Sequence, residues 1–178
     1  MALPVVVGTT VSMDAQKKNK PMKPQVLYRT IKVDGLSIFY REVGRKDAPA
    51  ILLLHGLPSS SRMFQSLLTR LSDKYRLIAP DYPGFGHSDW PDPKQFEYTF
   101  DHLASVINGF TQALGLSHYT LYMQDYGGPV GFRMVFAHPE KAQALIVQDA
   151  VAHNEGQRFF IAGAVGPECP PCRPICPR

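Results

Sequence analysis

Residues 121 to 128, Leu121-Tyr122-Met123-Gln124-Asp125-Tyr126-Gly127-Gly128, constrain this chain most tightly: a β-rich apolar run stops at a carboxylate and turns straight into a glycine pair. Such a strand-to-helix turn pushes its central side chain above the edge of a sheet, and small residues after it let the following helix pack close. Asp125 therefore stands where a nucleophile stands. A carboxylate is ionised at neutral pH, so it can attack the carbon of an alkyl halide or epoxide directly and form an alkyl ester without a base. Hydrolysis of that ester by water does need a base, and the 178 residues offer no evident one.

The segments before this turn alternate in the same way. Arg29 to Val33 and Leu36 to Val43 flank Asp34-Gly35, a two-residue hairpin signal, and order is expected to start near Tyr28. Ala50-Ile51-Leu52-Leu53-Leu54 is a continuous apolar run of the kind buried on both faces of a sheet, and His55-Gly56-Leu57-Pro58 ends it. Phe64, Leu67, Leu68 and Leu71 then recur at helical spacing, and Arg76 to Ala79 reads as a second buried strand. Phe100, Leu103, Ala104, Ile107, Phe110 and Leu114 make one face of an amphipathic helix that Gly115 stops. A strand over Tyr119 to Gln124, a helix from about Pro129 to Ala137 and a strand over Ala144 to Gln148 complete the series. Strands alternating with helices imply an α/β fold, a mostly parallel sheet flanked by helices.

Composition narrows the function classes. At 44% hydrophobic and 19% charged, the chain fits one globular domain. The net charge of +4 comes partly from Lys17, Lys18, Lys20, Lys23 and Arg29 near the start and Arg173 and Arg178 at the end, and no basic stripe interleaved with aromatics suggests nucleic acid. Apolar runs are too short to span a membrane, so the expected partner is a small-molecule substrate and not a membrane. Met1 to Gly8 has no basic region ahead of it, which argues against a secretion signal; together with a body free of cysteine, this suits a cytoplasmic protein.

Three motifs, His55-Gly56-Leu57-Pro58, Asp81-Tyr82-Pro83-Gly84-Phe85-Gly86-His87-Ser88 and Gln124-Asp125-Tyr126-Gly127-Gly128, stand in order at expected strand ends. With them the chain from Tyr28 to Gly156 resembles the N-terminal half of an α/β-hydrolase, in the aspartate-nucleophile branch of epoxide hydrolases and haloalkane dehalogenases. The resemblance implies that Asp125 is the nucleophile, in place of the more usual serine, and that the backbone N–H groups of Leu57 and Tyr126 form an oxyanion hole. It implies a loop-bracing role for His55 and supporting roles for Gly56, Pro58, Gly127 and Gly128, with no metal and no cofactor. Asp149, 24 residues past Asp125 (149 − 125), is open to two readings: the carboxylate that orients a histidine, or a strand-end cap. In the dehalogenases of this family a tryptophan N–H beside the nucleophile and a polar residue after the His-Gly pair help halide leave. Tyr126 and Leu57 occupy those places here, which favours epoxide opening.

Periodicity stops after Ile161, and five prolines and all three cysteines (Cys169, Cys172, Cys176) crowd the end. Three thiolates without a histidine are a poor zinc set, so a proline-rich end without structure is the plainer reading. The resulting expectation is a disordered leader over 1–27, a truncated core over 28–156 lacking the lid and C-terminal strands, and an unrelated tail over 157–178. The apolar strand 144–148 would then form an open sheet edge prone to self-association. Of the six histidines, only His153 follows closely on a strand end, as a remote candidate base. Three alternatives stay open: a haloalkane dehalogenase, an inactive fragment or interaction remnant, and a serine esterase using Ser59-Ser60-Ser61, which lacks the usual elbow around a serine.

Overall fold

The computed structural model describes residues 25–150. The expectations for residues 1–24, for the tail with its cysteines and for His153 lie outside them. The expected hairpin forms: β1 (Leu27–Val33) pairs antiparallel with β2 (Leu36–Val43), and Asp34 and Gly35 both take positive φ at the turn. β1 opens at Leu27 with Val26 already buried, so the part of the expected leader at 25–27 belongs to the fold.

β3 (Ala50–Leu54), β4 (Arg76–Pro80), β5 (Tyr119–Gln124) and β6 (Ala142–Gln148) run parallel, and β2 joins them antiparallel to β4. The strand order is β1-β2-β4-β3-β5-β6. Helix α1 (Gln65–Leu71), entered through a 3-10 turn at Ser61–Phe64, covers one face; α2 (Phe100–Ala113) and α3 (Gly127–Ala137) cover the other. Alternate residues of β3 feed the two cores. Leu52 and Leu54 join Ile107, Phe110, Leu121 and Met123, whereas Ile51 and Leu53 join Phe64, Leu68 and Leu77. An uninterrupted run of apolar residues is what a strand covered on both sides requires.

α2 is capped by the Thr99 side chain, which accepts from the His102 N–H, and Asp101 lies in its first turn where the helix dipole favours negative charge. α3 begins at Gly127, two residues before the expected start at Pro129, because the glycine pair itself winds into the helix. β6 begins at Ala142, two residues earlier than expected. From β3 the chain steps to β4 on one side and later returns to β5 on the other. Open parallel sheets bind ligands in a crevice at such a reversal, which places the expected crevice above the C-terminal ends of β3 and β5.

Candidate active site

The first and third motifs meet in that crevice. Asp125 follows the last residue of β5 and holds φ at 52°, a left-handed conformation that costs an aspartate about 1 kcal/mol. Its Oδ1 accepts the Leu57 N–H at 2.8 Å and the Tyr126 N–H at 2.6 Å, so two main-chain donors from different loops converge on one carboxylate oxygen. Neither donor depends on its side chain, and that of Leu57 is 46% exposed. Gly56 makes the approach possible: a Cβ there would sit 2.4 Å from the Asp125 Cβ and 2.6 Å from Oδ1. Gly127 plays the same part beneath the turn, where a Cβ would fall 2.3 Å from the Leu54 carbonyl oxygen. The Gly128 N–H donates to the Asp125 carbonyl at 2.9 Å and closes the turn. The Leu57–Pro58 peptide bond is cis.

His55 is fully buried with both ring nitrogens engaged. Nδ1–H donates to the Gly56 carbonyl at 3.0 Å, and Nε2 accepts the Tyr82 N–H at 3.4 Å. Burial lowers its pKa, with the Gly56 bond and the charges of Asp81 and Asp125 opposing that shift. A neutral imidazole in this position ties the first motif to the second. Tyr82 packs at a tilt against His55 with ring centroids 4.3 Å apart, and its buried hydroxyl has no hydrogen-bond partner among the described residues. Burial, and then the nearby Asp125 charge, push that phenol well above its ordinary value.

Asp81 organises the second motif in a way that spacing alone did not disclose. Its two carboxylate oxygens accept the Ser61 N–H at 2.6 Å and the His87 N–H at 2.9 Å, while its carbonyl accepts the Ser88 hydroxyl at 2.7 Å. The signal available in the sequence was Gly86: a Cβ there would lie 2.0 Å from Asp81 Oδ2. These bonds fix the loop beside the crevice.

The remaining expected residues divide. Tyr126 turns its ring edge-on to Phe100 at 5.1 Å, and burial followed by the Asp125 charge raises its pKa. Asp149 occupies the equivalent place one strand over, directly after the Gln124–Gln148 pair, and also has positive φ (43°). It is exposed and makes no hydrogen bond or ion pair among the described residues. The serines have other duties. The Ser60 hydroxyl caps the 3-10 turn, and Ser61 is buried with its hydroxyl accepting from Arg41. Among the described residues, no group of three His, Cys, Asp or Glu side chains could hold a metal, and no helix is long and apolar enough to cross a membrane.

Residues 49–163 match the α/β hydrolase fold, and the chain belongs to that family. The match runs seven residues past the boundary expected at Gly156 (163 − 156). The chain is 39% identical over 129 residues to an uncharacterised hydrolase of Saccharomyces cerevisiae, covering 71% of this chain and 44% of that protein. It is 36% identical over 107 residues to a haloalkane dehalogenase of Psychrobacter cryohalolentis, covering 60% of this chain and 35% of the other. A crystal structure of a Vigna radiata epoxide hydrolase variant superposes with a TM-score of 0.64 at 27% identity, over 69% of this chain and 38% of that one. The chain thus spans less than half the length of these relatives.

Proposed function

We propose that this chain hydrolyses an alkyl electrophile, an epoxide in the first instance, through an ester formed on Asp125. The observation that carries the reading is the convergence of the Leu57 and Tyr126 N–H groups on Asp125 Oδ1. With Oδ1 held, Oδ2 is the oxygen free to attack. Its lone pair forms a bond to a ring carbon, the bond from that carbon to the ring oxygen breaks, and the oxygen, still held by the other carbon, becomes an alkoxide that takes a proton from water. Oδ1 becomes the ester carbonyl oxygen and already lies between two donors. When water adds to Cγ, the negative charge develops on that same oxygen, where preorganised N–H dipoles stabilise it. Asp149, at the neighbouring strand end, is proposed to orient a histidine base, not identified among the described residues, that takes the proton from the attacking water. His55 is not that base, because both of its nitrogens are engaged.

Tyr126 supports epoxide over halide. A leaving halide needs an N–H or similar donor beside the nucleophile, whereas the Tyr126 ring rests against Phe100. Dehalogenation is the second reading, favoured by the Psychrobacter relative. We further infer that β6, an apolar strand paired only with β5 among the described residues, drives self-association.

Intact-mass measurement after exposure to an aryl epoxide, with a bromoalkane in parallel, tests the reading. Formation of a covalent adduct or diol that Asp125→Asn abolishes is the expected result. An adduct that survives in Asp125→Asn, or no reaction with either electrophile, would overturn it.

A further inference from the structure

A second cleft lies away from Asp125, on the α1 face of the β1–β2 edge. It is an open groove of about 770 Å³ lined by Tyr28, Thr30, Phe39, Arg41, Arg62, Gln65 and His87; Leu57, Asp125 and Tyr126 take no part in it. The register explains how these residues meet. Tyr28 pairs with Arg41 and Thr30 with Phe39, so all four side chains rise from one face of the hairpin.

Arg41 is the unusual member. It is only 8% exposed, yet among the described residues it forms no ion pair. Nε donates to Ser61 Oγ and Nη1 to Gln65 Oε1, both at 3.1 Å, and the guanidinium carbon lies 4.9 Å from the Tyr28 ring centroid and 5.8 Å from that of Phe39. Nη2 has no acceptor among the described residues. The nearest acids are committed elsewhere. Asp81 spends both oxygens on the backbone N–H groups of Ser61 and His87, and Glu42 points to the opposite face, where it pairs with Arg29 and Arg76. Arg62 and His87 stand exposed at the rim without an ion pair among the described residues, and no acid lines the cleft. Burying a guanidinium against neutral acceptors is costly, and a tie between β2 and α1 alone would be served by a neutral amide.

We propose that this cleft binds a small oxyanion carried on a flat apolar group, such as an aryl phosphate. The free edge of the Arg41 fork and Arg62 would grip the oxyanion, Thr30 would add a hydroxyl, and the Tyr28 and Phe39 rings would pack the apolar part. Arg is suited to this because its planar fork matches two oxygens of a phosphate at once while its face stacks on aromatics. The two rings lie near parallel, 19° apart with centroids at 6.4 Å, and His87 meets Phe39 edge-on at 4.9 Å, so the wall is already formed.

Calorimetric titration of the full 178-residue chain with phenyl phosphate, at ionic strength held constant with sodium chloride, tests the site. Saturable one-site binding is expected, with phenol silent and inorganic phosphate weaker than phenyl phosphate. Arg62→Gln, an exposed change that leaves the fold alone, should weaken binding about fivefold or more with an unchanged melting temperature. Arg41→Lys keeps the charge but removes the fork and should weaken it further. Absence of saturation, heat reproduced by chloride alone, or equal affinity in the wild type and Arg62→Gln would each overturn the site.

Discussion

β3 and β6 flank the same strand, run in the same direction and carry similar apolar runs, Ile51-Leu52-Leu53-Leu54 against Leu145-Ile146-Val147, yet they live in opposite environments. Leu52, Leu53 and Leu54 are wholly buried, while Leu145, Ile146 and Val147 are 42%, 43% and 49% exposed. Hydrophobicity is common to both. What differs is the company: β3 has β4 and β5 on its two edges and helices on both faces, and β6 has β5 on one edge only among the described residues. Burial is a property of the neighbours a strand acquires, and the residues only make it favourable.

The largest expected effect tests that contrast directly. Leu53→Ala removes a side chain packed among Phe64, Leu68 and Leu77 and should cost about 2–5 kcal/mol of unfolding free energy, the range for a large-to-small change in a tight core. Ile146→Ala, with comparable chemistry, should cost less than about 1 kcal/mol. Urea unfolding of the two variants side by side gives both values, and equal losses would show that β6 is covered.

The two strand ends provide the next comparison. Gly56→Ala places a methyl carbon within 2.4 Å of the Asp125 Cβ, so the carboxylate must move or the loop must open. Displacement of a reacting group by about 1 Å costs on the order of 100-fold in rate, and ester formation on Asp125 should slow by that much. Asp149→Asn, at the end of β6, should leave ester formation unchanged, because no contact ties it to the first step. Single-turnover adduct formation, followed by mass, separates them; equal slowing would mean that Asp149 holds the nucleophile in place.

A smaller effect comes from His55, the residue that follows β3. Burial lowers its pKa in the fold, so between the unfolded value near 6.5 and the lower folded value the unfolded chain binds the extra proton. Stability is therefore full above about pH 6.5 and falls as the pH drops below it, with a limiting slope of about 1.4 kcal/mol per pH unit. Tyr82 acts at the other end of the scale: its raised pKa means that stability declines above about pH 10, where the unfolded phenol ionises first. His55→Gln should flatten the acid limb just below pH 6.5 and leave the alkaline limb intact. An unaltered acid limb in that variant would remove His55 from the account.

Much of this architecture is legible in the residues because the punctuation is local. Asp34-Gly35 makes its hairpin, the apolar run at 50–54 makes a central strand, and each of the three motifs falls at the end of a parallel strand, as its glycines and prolines suggest. Boundaries slip where tertiary contact overrides propensity. Gly127 is a poor helix former, yet it opens α3 because only a residue without Cβ fits against Leu54. At the site, the resemblance pointed to Asp125, Leu57 and Tyr126, and the fold brings the two N–H groups onto the Asp125 carboxylate. Asp81 and Arg41 were not, because each acts through partners 20 residues away in the chain, which only the folded sheet brings together.

The smallest effect on stability carries the sharpest information on assembly. Ile146→Lys puts a charge on the exposed strand at the margin of the sheet, where the side chain is already 43% exposed and loses little packing. The unfolding free energy of the monomer should change by no more than about 0.5 kcal/mol. Pairing of that edge with a second copy would bring like charges together and should be suppressed, since lysine on an open strand is a common guard against edge-to-edge association. Sedimentation velocity at rising protein concentration reads the outcome. A self-associating wild type beside a monomeric Ile146→Lys would locate the contact at β6, and association of equal strength in both would place it elsewhere on the surface.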